Sequence, residues 1–113
     1  MDGIPQEVRD LAVKLQEQGY RPVLVATSDK ALPLVLFQAP TIGQLSRYIA
    51  EASKVETGPL MAAVGLARQV VVYPSRDVLQ VVETQKPLVI MRAVQEVLRD
   101  QGLATRTEKK SLS

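Results

Sequence analysis

The sequence predicts an α+β domain, with an N-terminal helix and a β-hairpin followed by four mostly short helices. Apolar residues first recur at three- and four-residue steps, then stand side by side in two short stretches, then return to helical spacing. Apart from Gly65, prolines and glycines fall at or near the ends of these stretches. With 113 residues and 46% hydrophobic residues, the chain has the size and composition of one domain with its own core.

The first helix is predicted over Ile4 to Gly19. Pro5 suits its first turn, Val8, Leu11, Ala12 and Leu15 form its apolar face, and Gly19 is placed to stop it. The hairpin follows, with strands at Arg21 to Thr27 and Leu32 to Phe37 and a polar turn at Ser28-Asp29-Lys30. Pro22 and Pro33 stand near strand ends and point to an edge strand. Thr41 and Gln44 have capping-box spacing and open a helix through about residue 54, with Ile42, Leu45, Ile49 and Ala52 on one face.

Thr57-Gly58-Pro59 breaks the chain and restarts a helix that carries Leu60, Ala63, Val64 and Ala67. Val70 to Tyr73 fits a buried helix end and a short strand equally well. After Tyr73-Pro74, Ser75 is a candidate N-cap for a short helix with Asp77 in its first turn and Val78, Val81 and Val82 along it. Pro87 opens the last helix, with Met91, Val94, Val97 and Leu98 inward and Arg92, Glu96 and Arg99 outward, and Gly102-Leu103 resembles a Schellman ending. Residues 1–103 are thus expected to form one globular domain, and the polar, basic residues 104–113 a disordered tail.

The chain contains neither cysteine nor histidine. That excludes disulfides, metal sites built on thiolate or imidazole, and triads of the Ser-His-Asp or Cys-His kind. Glu7 with Asp10, and Glu96 with Asp100, are spaced to share a helix face, but basic neighbours make surface ion pairing the expected use. Lys30, Lys54 and Lys86 fall at expected loops or helix ends. The six glycines form no phosphate-binding loop, and Gly58 and Gly65 are assigned to helix entry and close helix packing. No catalytic residue, cofactor or metal is therefore expected.

Net charge is +2 with the two signs interspersed, so a nucleic-acid partner is not expected; one would require Arg21, Arg47, Arg68 and Arg76 to gather in one patch. No apolar run reaches the length of a membrane span, and the first residues lack the pattern of a signal peptide, so the expected compartment is the cytoplasm. The feature left with functional content is the hairpin, whose consecutive apolar residues suggest burial on both faces. Val23, Val25, Leu34, Val35, Leu36 and Phe37 are accordingly the candidate protein-interaction residues, covered either by the chain's own helices or by another chain.

From Leu36 onward, Phe37-Gln38-Ala39-Pro40-Thr41 leads into a helix bearing Leu45-Ser46-Arg47-Tyr48. Val70-Val71-Val72-Tyr73-Pro74-Ser75 follows, and then Lys86-Pro87 opening the helix that ends at Gly102. This order resembles the small tail assembly chaperones of tailed bacteriophages and prophages, over roughly residues 21 to 102. The helix ahead of the hairpin, and Lys86-Pro87-Leu88 where that family has Pro-Gly, depart from its pattern. The resemblance implies a non-enzymatic protein that binds a tape measure protein while the tail is built. Beside it stand two alternatives, a homo-oligomeric structural or adaptor protein assembling through the hairpin edge, and a nucleic-acid-binding regulator.

Overall fold

A three-stranded antiparallel sheet separates two unequal helical layers. The structure is a computed structural model that describes residues 4–103, so the predicted tail at 104–113 lies outside the described residues. In chain order the elements are α1 (Gln6–Glu17), β1 (Pro22–Ala26), β2 (Leu34–Gln38), α2 (Ile42–Ala52), α3 (Gly58–Val70), β3 (Val71–Tyr73), α4 (Arg76–Gln85) and α5 (Pro87–Leu98). The strand order is β1-β2-β3, and this is the predicted α+β class with one further strand.

Local chemistry accounts for most boundaries. Gly19 takes φ 88° after α1, and the Tyr20 and Gly19 N–H groups donate to the Leu15 and Gln16 carbonyls at 2.9 and 3.0 Å. That is a Schellman ending, which satisfies carbonyls the helix leaves unpaired. Ser75 caps α4 by accepting from the Val78 N–H, and Pro59 sits in the first turn of α3. Gly102 adopts φ 105° within a π-type turn at Arg99–Leu103 that extends α5.

The ambiguous run at 70–73 is both things at once. Val70 ends α3, and the next three residues pair with β2 across a bulge between Leu36 and Phe37. β2 is therefore the central strand, and its two faces meet different partners. Val35 and Phe37, with Val23 and Val25 from β1, pack into the main core formed by α3, α4 and α5. Leu36 points the other way and packs with Val8 and Leu15 of α1, where Leu34, Val72 and Tyr73 join it. Period-two geometry produces this split, because adjacent strand residues face opposite sides of a sheet.

The hairpin connection is longer than expected. Residues 27–33 lie between the strands, and Leu32 is a loop residue, 1% exposed, that plugs the main core. Polar groups shape this loop: the Thr27 hydroxyl donates to the Leu32 carbonyl, and the Asp29 carboxylate accepts from the Ala31 N–H at 2.8 Å. Lys86 then ties the loop to the α4–α5 junction through a 2.9 Å contact with Asp29. On α4 the buried residues are Leu79 and Val82, whereas Val78 and Val81 are exposed.

Candidate protein-binding surface

The six hairpin residues offered as an interaction surface need correction. Val23, Val25, Val35, Leu36 and Phe37 are buried by the chain's own helices, and Leu34 is half-buried against α1. The consecutive apolar residues reflect a strand covered on both faces from within. What the hairpin leaves open is the backbone edge of β1.

The apolar surface that remains uncovered belongs to α2. Its start is well made: the Gln44 N–H donates to the Thr41 hydroxyl at 3.1 Å, and the Thr41 N–H donates to the Gln44 side-chain oxygen at 2.9 Å. Such a capping box contributes about 1 kcal/mol. No residue of α2 is buried, although Leu45 and Tyr48 rest against the main core. Ile42 is 84% exposed and Ile49 is 63% exposed, on the face that the sequence pattern marks as apolar. A stripe of this kind is normally turned into a core.

Two depressions flank the helix. On one side Leu45, Tyr48 and Ile49 form a crevice with Leu98 and Gln101 at the end of α5. On the other, a longer cleft of about 610 Å³ runs between α2 and α3, with Ala62, Gly65 and Leu66 of α3 opposite Tyr48 and with Met61, itself 60% exposed, beside them. Arg47, Glu51 and Lys54 line the same cleft. Glu51 pairs with Lys54 at 2.5 Å, while Arg47 has no ionic partner among the described residues. Tyr48 touches both depressions, and burial raises the pKa of its hydroxyl above its ordinary value.

Gly65 is not held by close helix packing, as its position in the sequence suggested. A Cβ there would meet no heavy atom within 4 Å, so the glycine simply deepens the cleft. Gly58, by contrast, adopts φ +72° and does serve helix entry.

Most of the other sequence-marked groups resolve into surface pairs. Glu96 pairs with Arg99 at 2.7 Å, Asp100 with Arg21, Asp10 accepts from Gln6 at 2.9 Å, and Lys86 contacts Asp29. Of the four arginines a nucleic-acid surface would need, Arg21 is matched by Asp100 and Arg68 by Glu83, while Arg47 lies in the α2–α3 cleft. Among the described residues no three His, Cys, Asp or Glu side chains are grouped to hold a metal ion. No helix among them is long and apolar enough to cross a membrane.

No protein-family model, curated protein or solved structure matches the chain. The arrangement around α2 thus has to be interpreted from its own chemistry. It combines exposed isoleucines, a tyrosine with one polar end, a methionine and a charged rim, which are features of surfaces that receive another protein.

The α2 surface escaped the sequence reading for a definite reason. The spacing of Ile42, Leu45, Ile49 and Ala52 is visible in one dimension and places them on one face of a helix. Periodicity identifies an apolar stripe but carries no information about how much of it the remainder of the fold covers.

Proposed function

We propose that the protein works by binding an amphipathic helix of another protein on α2, as a non-enzymatic chaperone. The tail assembly chaperones that its motif order resembles supply the specific form of this reading, with a tape measure protein as the client. The supporting observation is the uncovered apolar stripe of a capped helix, with Ile42 and Ile49 exposed beside two depressions. A client helix laid along α2 would place apolar residues at i, i+3, i+4 and i+7 into such depressions. Arg47 on the rim favours an acidic residue beside the client's apolar stripe. Covering the client would stabilise its soluble form by mass action.

The test is titration of the full chain with helical segments of a long coiled protein encoded beside it, together with the solubility of that protein on co-expression. Ile49→Glu should weaken binding by about tenfold or more, the loss expected when an apolar anchor is removed from an interface centre. Its far-UV spectrum should not change, since the side chain is 63% exposed. Equal binding by the variant would remove α2 as the site.

A further inference from the structure

We propose that β1 is a dimerisation edge, at which a second copy of this chain adds antiparallel about a twofold axis at Leu24, joining the two sheets into one. This inference does not rest on the α2 surface.

The backbone phase of β1 can be read from its ends. The Thr27 N–H donates to the Pro33 carbonyl at 3.0 Å, and the Ala39 N–H donates to the Arg21 carbonyl at 2.8 Å. Thr27 and Pro33 are opposite one another in the β1–β2 register, as are Arg21 and Ala39. Hydrogen-bonded pairs alternate along an antiparallel ladder. Val23 and Val25 therefore direct their backbone groups to β2, and Leu24 and Ala26 direct theirs away from it. β1 ends the sheet, and these outward groups have no backbone partner among the described residues.

A second β1 strand matches this edge. With Leu24 opposite Leu24 of the second copy, each Leu24 N–H reaches the other's carbonyl, and each Ala26 N–H reaches the Pro22 carbonyl of the other strand. Every outward N–H of the strand is then used, because Pro22, the remaining outward position, has none to offer. A shift that set Pro22 opposite Leu24 would carry Ala26 opposite Tyr20, outside the strand, and would part the two leucines. A shift toward Ala26 would separate the two leucines, each 42% exposed, that the central register brings together.

The side chains along the edge agree. Natural edges are usually blunted by charge, commonly lysine, yet the middle of β1 carries leucine. The charges beside it are self-complementary. Glu96, Arg99 and Asp100 share a groove with residues 23–26, and Arg21 pairs with Asp100 at the start of the strand. Two acidic and two basic groups thus flank the edge, so identical copies meet without net repulsion. Glu96 lines the grooves beside residues 25–29 and 23–26 and Arg99 only the latter, so a twofold axis at Leu24 carries Glu96 of each copy toward Arg99 of the other.

The experiment is light scattering of the full chain over a range of concentrations, with three sets of variants. The wild-type mass should rise from monomer to dimer. Leu24→Lys should raise the dissociation constant by about tenfold or more, since like charges directly opposite across a strand pair repel, with the far-UV spectrum unchanged. Glu96→Arg should weaken the dimer, and Glu96→Arg combined with Arg99→Glu should restore it. Because the chain has no cysteine of its own, Leu24→Cys can report the register. Under mild oxidation it should cross-link faster than Val55→Cys, whose side chain is 98% exposed. A protein that stays monomeric overturns the proposal, even if its edge accepts an extended peptide instead. So does a dimer that Leu24→Lys leaves intact, or cross-linking at 24 no faster than at 55.

Discussion

Replacing Gly65 by alanine should stabilise the protein, although the same change at Gly58 should destabilise it. Gly65 lies in the interior of α3 and is not among the glycines with positive φ. A Cβ at this position meets no heavy atom within 4 Å, so no steric cost opposes the change. The gain is the helix-propensity difference between glycine and alanine, about 1 kcal/mol, much of it from reduced freedom of the unfolded chain. For a domain of this size, 1 kcal/mol corresponds to a rise in Tm of roughly 4–8 °C. Gly58 also has room for a Cβ, but its φ of +72° is one that L-residues reach only at a cost of about 1–2 kcal/mol. Thermal unfolding followed by circular dichroism, supported by urea titration, measures both. A lower Tm for Gly65→Ala would refute the reasoning, since it would mean that the α2–α3 cleft is closed at Gly65 in solution.

Val35→Asp should abolish folding. The residue is 0% exposed on the central strand, and an unpaired carboxylate there should cost more than about 4 kcal/mol, a large part of the stability of a small domain; a native-like melting curve would contradict the two-sided burial of β2. The Asp29–Lys86 contact should make stability depend on acid pH. The hydrogen bond from Lys86, followed by that from the Ala31 N–H, lowers the Asp29 pKa below its ordinary carboxylate value. The contribution is therefore present above the unfolded pKa of about 3.9 and is lost as pH falls through the lower folded value. Asp29→Asn should remove that part of the acid dependence in a comparison of melting temperatures, and an unchanged pH profile would show that the contact contributes nothing.

The elements that the sequence made legible are those decided by neighbours along the chain. Thr41 and Gln44 predict a capping box because both partners lie within one helical turn, and the bonds form as the spacing requires. Gly19 marks the end of α1 because a left-handed residue is needed there whatever packs nearby. Pro22 points to an edge strand, and β1 is one of the sheet's two edges. The hairpin turn was less legible, since Leu32 has the composition of a strand residue but is drawn into the core from a loop.

The candidate site was hidden for a related reason. The consecutive apolar residues from Leu34 to Phe37 are equally compatible with a partner's surface and with helices from the same chain. Only the crossing of α1 on one face, and of α3 and α5 on the other, distinguishes them. Likewise β3 was one of two readings of Val70 to Tyr73, because pairing with β2 depends on residues more than thirty positions away.

The sequence by itself determined most helix starts and stops, the two strands of the hairpin, and which residues are apolar enough to be buried. These follow from backbone sterics, local hydrogen bonding and hydrophobic periodicity, all of which act over a few residues. Only the tertiary structure decided which apolar faces are covered. Val35 and Leu36 become core, while Ile42 and Ile49, no less apolar, remain at the surface, because burial depends on what the rest of the chain can place against a side chain.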